Sequence, residues 1–128
     1  MQTFESMGVF LDGSRFVDGS GLSYENRVSP RTLVEALSAA RRSFRYGPEL
    51  IAALPIAGQD GTLTRRTKQS RGRVRAKTGL LTRVTGLSGY AWADDGEELV
   101  FSILVNGYRD SDEEAMAAVD GFAAALTR

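Results

Sequence analysis

The chain has 128 residues, with 16 basic and 16 acidic side chains balancing to a formal charge of zero, and it contains neither histidine nor cysteine. That length, with 42% hydrophobic and 25% charged residues, fits one domain of ordinary globular composition. The two missing residue types exclude a thiol nucleophile, a disulfide frame, a Ser-His-Asp triad and the usual zinc ligand sets, so acid–base work falls to Lys, Tyr, Asp or Glu.

The opening MQTFESMGVFLDG has no basic stretch ahead of an apolar run, so no signal peptide is expected within these residues. No apolar run approaches the ~20 residues of a membrane span. Phe4 to Val9 reads as the end of a helix, and Phe16-Val17 as a short extended piece. Asp18-Gly19-Ser20-Gly21-Leu22-Ser23 superficially resembles a nucleophile loop, but the Gly-x-Ser-x-Gly elbow needs glycine where Asp18 stands. A turn whose Asp and Ser side chains bond local amides is the favoured reading.

Ser29-Pro30 supplies an N-cap followed by proline at the first helical position. Leu33, Val34, Leu37, Ala40 and Phe44 then recur at helical spacing, and Gly47-Pro48 is expected to end the helix. A short helix from Pro48 to about Leu54 follows, then a loop marked by Pro55, Gly58 and Gly61. Residues 73–78 alternate basic with small or apolar residues, as a half-buried strand does. Gly86 to Ala93 and Leu99 to Val105 are β-rich runs joined by the turn residues Asp94-Asp95-Gly96-Glu97. Asn106-Gly107 reads as a strand-ending turn. The last helix starts at Ser111 or Asp112, with acidic residues in its first turn and an apolar stripe of Met116, Val119, Phe122, Ala123 and Leu126. The order predicts an α+β fold: an antiparallel sheet with helices packed on one face.

Charge is sorted along the chain. Residues 61–83 carry eight basic side chains and no acidic one, whereas residues 84–128 carry nine acidic and two basic ones. No aromatic residue is interleaved between Arg65 and Leu81, which argues against nucleic acid as a partner and for a solvated loop or an electrostatic guide to an anionic ligand. Trp92, Tyr90 and Phe101 fall on hairpin strands, where packing is the default role. No Gly-rich phosphate loop and no carboxylate cluster at metal-ligand spacing is present, so neither cofactor nor metal is expected.

Lys77-Thr78-Gly79 is the sharpest motif. On the tripeptide alone, a solvated lysine and a turn glycine is the simpler reading. The alternative is an anion site, in which the ammonium and the hydroxyl hold a carboxylate while glycine lets it come close to the backbone.

Taken together and in order, DGSGLSYENRVSP, LPIAGQDGTLTRR, RVRAKTGLLTRVTGLSGYA and LVFSILVNGY resemble the C-terminal part of penicillin-binding-protein-type D-alanyl-D-alanine carboxypeptidases/endopeptidases of the low-molecular-mass class C branch. The resemblance runs over about residues 8–126. It implies part of the DD-peptidase fold shared with serine β-lactamases, a place outside the cytoplasm, and a stem peptide of peptidoglycan or a β-lactam as ligand. It implies that Lys77 and Thr78 bind the ligand's carboxylate and that Gly79 allows close approach. The Leu80 N–H becomes one oxyanion-hole donor, a role worth ~2.7–4 kcal/mol in such sites. In that family a lysine handles the protons that histidine handles elsewhere, which suits a chain without histidine.

One departure governs the expectation. The lysines are Lys68 and Lys77, preceded three residues earlier by Arg65 and Val74, so no Ser-x-x-Lys exists here. Two residues before Asn26 and Asn106 stand Tyr24 and Leu104, so no Ser-x-Asn exists either. The expectation is a C-terminal portion or a truncated paralogue over residues 1–128, inactive by itself, with one of three active-site motifs. A non-catalytic α+β module that binds an anionic ligand or a protein is the alternative. The resemblance also implies that strands from the N-terminal part complete the sheet beside the last strand, so without them the Leu99–Val105 strand is expected to expose an unpaired edge and to give a homodimer, swapped or not, or poor solubility.

Overall fold

The computed structural model describes residues 2–11 and 13–128. Four helices and three strands follow one another as α1 (Gln2–Ser6), α2 (Pro30–Arg42), α3 (Gly47–Ala53), β1 (Val74–Leu81), β2 (Val84–Trp92), β3 (Glu98–Asn106) and α4 (Asp112–Ala125). Two short 3₁₀ turns, Gly61–Leu63 and Lys68–Ser70, lie in the loop ahead of β1. The class is the expected α+β.

Local chemistry explains the main element boundaries. The Ser29 hydroxyl accepts from the Thr32 N–H at 3.1 Å, with Pro30 in the first turn of α2. Ser111 and Glu114 form a complete capping box at the start of α4: the Glu114 N–H donates to the Ser111 hydroxyl and the Ser111 N–H to the Glu114 carboxylate. The β1–β2 connection is two residues, Thr82 and Arg83, and Arg83 adopts φ +59°. Its guanidinium donates to the Tyr108 and Gly107 carbonyls, and the Gly107 N–H donates back to the Arg83 carbonyl, so a left-handed non-glycine residue is tied in place.

The sheet is antiparallel in the order β1-β2-β3, with Val74 opposite Ala91 and Ala91 opposite Leu99. Strand alternation then assigns the faces. Val74, Ala76, Leu87, Ala91 and Phe101 share one face and join Val119 and Ala123 of α4, with Ala57 and Leu63 of the loop, in one buried core. Tyr90 and Glu98 point to the other face, where α2 lies: the Tyr90 hydroxyl donates to the Leu37 carbonyl at 2.8 Å, and Arg41 forks onto Glu98 at 2.7 and 3.2 Å. The two long helices thus cover opposite faces, not one face as the element order suggests. The first core residue of each strand decides which face its helix meets, and element order does not encode that choice.

Two stripe residues also depart from expectation. Helix α2 stops at Arg42, because Ser43 turns extended and its N–H bonds back to the Ala40 carbonyl. Phe44 therefore leaves the stripe and is 98% exposed. In α4 the inward line is Ala115, Val119 and Ala123, and Phe122 stays 45% exposed beside it. The sorted charges meet across the fold: Arg66 grips Asp120 of α4 with Nε and Nη2, and Arg73 pairs with Asp94.

Candidate functional site

Strand β1 is an edge strand, and its first half is covered. The Ala57 N–H donates to the Val74 carbonyl and the Ala76 N–H to the Pro55 carbonyl, around an isolated bridge from Ile56 to Arg75. These bonds fix which residues face outward. Residues 74, 76, 78 and 80 turn their N–H and C=O groups away from β2, and residues 75, 77, 79 and 81 turn theirs toward it. The cover stops at Ala76. Beyond it, among the described residues, the outward main-chain groups of Thr78 and Leu80 meet no neighbouring strand.

The Lys-Thr-Gly motif sits inside this strand, not at its end, because β1 runs on to Leu81. Lys77 is exposed, and its ammonium donates to the Thr78 carbonyl at 2.5 Å. Among the described residues no carboxylate lies within 4 Å of it. Alternation sends Lys77 and Thr78 to opposite faces, so the two groups converge only at the edge itself. The Thr78 hydroxyl bonds that of Thr62 at 3.0 Å. If that pair reverses, with Thr62 donating, the Thr78 proton becomes available to an incoming carboxylate. Thr62 lies 16 residues from Thr78, and no spacing rule in the sequence points to it.

Among the described residues, no contact calls for glycine at position 79. Its φ is ordinary, and a methyl built on it meets no atom within 4 Å. Gly89 is the opposite: the same methyl comes within 2.1 Å of the Arg75 carbonyl oxygen and 2.6 Å of the Ala76 Cα. Glycine in a strand costs roughly 0.5–1 kcal/mol relative to alanine. At 89 tight strand packing requires it, while at 79 the space beside the backbone is open among the described residues.

The loop over residues 18–26 stands at the far end of β1, where the Tyr24 hydroxyl reaches the Thr82 carbonyl at 3.4 Å. It is a clamped turn, as read from the sequence. Asp18 accepts from the Gly21 N–H (2.8 Å), the Ser23 N–H (2.9 Å) and the Asn26 amide (3.0 Å), and Asn26 in turn accepts from the Val17 N–H. The Ser20 hydroxyl accepts from the Leu22 N–H. A cavity of about 770 Å³ opens between this loop and the ends of the strands, lined by Tyr24, Leu81, Val84 and Leu104 among others.

The Asn26 amide, and after it the Gly21 N–H, hold the Asp18 carboxyl below its ordinary value of 3.8. The charged form is the one the fold favours, so its stabilisation is present above pH 3.8 and disappears as pH falls through the lower folded value. In an acid titration followed by NMR, the Gly21 and Ser23 amides should hold their native shifts down to pH 3.8 and move only below it. Movement centred at or above that pH would remove the clamp from the account.

Among the described residues, no group of three or more acidic side chains is placed to hold a metal ion, and no helix is long and apolar enough to cross a membrane.

Residues 1–126 match the model of the D-Ala-D-Ala carboxypeptidase 3 (S13) family. The chain is 35% identical to the carboxypeptidase DacB of Mycolicibacterium smegmatis, over 94% of this chain and 27% of that protein. It is 37% identical to a D-alanyl-D-alanine carboxypeptidase of an Actinomadura species, over 98% of this chain and 24% of the relative. Its fold superposes on penicillin binding protein 4 of Haemophilus influenzae in complex with a β-lactam, with a TM-score of 0.86, 29% identity, and coverage of 99% of this chain and 31% of that one. A class A β-lactamase from Bacteroides cellulosilyticus shares the fold at a TM-score of 0.72 and 16% identity. The chain thus spans about a quarter of the length of the curated relatives it matches.

Proposed function

Because the chain belongs to the D-Ala-D-Ala carboxypeptidase 3 (S13) family, we propose that it is the C-terminal portion of a serine-type D-Ala-D-Ala carboxypeptidase and furnishes the wall that docks the ligand's carboxylate. The ligand is the D-Ala-D-Ala end of a peptidoglycan stem peptide, or a β-lactam in its place, and the setting is the cell wall outside the cytoplasm. The ligand adds to the open edge of β1 as a short strand. Lys77 supplies the charge, Thr78 a hydroxyl donor, Gly79 the clearance and Leu80 an N–H aimed outward for the oxyanion. The sequence has no Ser-x-x-Lys, so the nucleophile and its base come from residues outside these 128.

The observation that carries this reading is that, among the described residues, an ammonium without a carboxylate partner stands beside an uncovered strand edge and a glycine that no contact requires. Titration of the labelled chain with a D-Ala-D-Ala-terminated peptide should move the amide signals of residues 77–80 first. No shift there at millimolar peptide would overturn the docking role. A fluorescent penicillin should leave no covalent label on any serine of this chain, and a labelled serine would show that the nucleophile is present after all.

The other edge of the sheet supports a second reading, a non-catalytic module that works through self-association. Strand β3 pairs with β2 alone among the described residues, so Glu98–Asn106 presents nine residues of open edge. A homodimer through that edge is expected, with light scattering showing a mass that doubles as concentration rises. A strictly monomeric species at high concentration would remove this reading.

A further inference from the structure

A second concavity, independent of the β1 edge, lies on the α2 side of the sheet. It measures about 730 Å³ and is bounded by the end of α2, the linker to α3, and the ends of all three strands. Gly79 stands four residues along β1 from Arg75, or ~13 Å at strand rise, and none of residues 77–80 lines this space.

Its lining holds four arginines and one carboxylate. Two of the arginines are spoken for: Arg41 forks onto Glu98, and Arg73 is paired with Asp94. Arg42 and Arg75 have no carboxylate within 4 Å among the described residues. Arg75 is half-buried, and its one side-chain hydrogen bond is a 3.4 Å contact to the Ile51 carbonyl. A guanidinium drawn into a cavity with so weak a partner leaves most of its donors unused.

Aromatic rings complete the picture. Phe44, released from α2 by the turn at Ser43, is 98% exposed, and Trp92, which lines the same space, is 51% exposed. Pro48 and Ile51 of α3 continue the apolar wall. Cations unpaired and rings exposed among the described residues of one concavity define a complementary ligand: a flat apolar body to lie against Phe44 or Trp92, and an anionic head to receive the guanidinium fork of Arg75, with Arg42 in the same lining.

We propose that this cavity binds a small organic anion with a flat apolar body, as a site separate from the Lys77–Leu80 edge. Trp92 is the single tryptophan of the chain, so its fluorescence reports on this site alone. Titration with 2-naphthoate should give a saturable change in Trp92 emission. The neutral isostere 2-naphthamide should bind about tenfold more weakly or worse, the size expected when a charge-assisted hydrogen bond is lost. Arg75→Gln should weaken 2-naphthoate to a similar degree. Arg42→Gln and Phe44→Ala alter exposed positions and leave the core intact, so they carry the test if the Arg75 variant does not fold. Either should weaken binding about threefold or more, as expected for a partly solvated contact. A non-saturable response, equal affinity for the acid and the amide, or unchanged affinity in both exposed variants would each overturn the proposal.

Discussion

Gly89→Ala is expected to destabilise the domain by at least about 3 kcal/mol, at or beyond the upper end of what overpacking usually costs. The added methyl lands 2.1 Å from the Arg75 carbonyl oxygen and 2.6 Å from the Ala76 Cα. Both obstacles are backbone of the neighbouring strand, and Ala76 is fully buried, so no side chain can swing aside. Relief requires β1 to part from β2, which breaks the register that places Lys77 opposite Ser88 and Gly79 opposite Gly86. A urea melt is the direct check, and a loss under about 1 kcal/mol, within the range of tolerated core swaps, would mean the two strands pack more loosely than described. Gly79→Ala is the matched control three register positions away. Its methyl meets no neighbour, so stability should hold or rise by roughly 0.5 kcal/mol as backbone freedom in the unfolded chain falls. Peptide binding should nevertheless weaken, which separates a glycine kept for packing from one kept for a visitor.

Lys77→Gln should leave the fold unchanged and reduce affinity for a D-Ala-D-Ala-terminated peptide by about 10- to 100-fold, because a hydrogen bond to a charged group contributes about 1.5–3 kcal/mol. Lys77 is exposed, and its contact within the domain is to the carbonyl of its own neighbour, Thr78. Removing it strands no buried partner, so the loss should appear in binding and not in the unfolding midpoint. Binding by the unaltered chain should weaken as salt is raised, and the glutamine variant should show a shallower salt dependence. Equal affinities for the two proteins at low salt would place the carboxylate elsewhere. A fall in stability matching the fall in affinity would make Lys77 a structural residue.

The elements whose limits are set by local chemistry were legible from sequence. Ser29-Pro30 and Ser111 with Glu114 mark helix starts because a hydroxyl and an amide three residues away satisfy one another whatever surrounds them. The hairpin residues 94–97 mark a turn for the same reason, and the Ala93 N–H indeed closes it on the Glu97 carbonyl. Features set by distant partners were not legible. Whether α2 and α4 share a face depends on the parity of each strand's core residues, and Phe44 reads as helical stripe until the backbone turns at Ser43. Of the candidate site, Lys77-Thr78-Gly79 stood out as a motif and Leu80 followed from the family resemblance, and the structure adds the direction in which each main-chain group points. Thr62 became visible only when the 3₁₀ turn Gly61–Leu63 was placed beside β1.

The open half of β1 has a consequence for how this surface can change over generations. On the proposed reading, a guest strand laid along residues 78–81 meets amides and carbonyls, which every residue type provides, as well as the Lys77 ammonium and the Thr78 hydroxyl. The side chains of Leu80 and Leu81 can then drift without dismantling that frame, provided Lys77 and Thr78 are kept, position 79 stays small and no proline removes an outward N–H. On that reading, selection along the outer half of the edge acts on backbone shape more than on residue identity, while Lys77 and Thr78 answer for the charge of the guest.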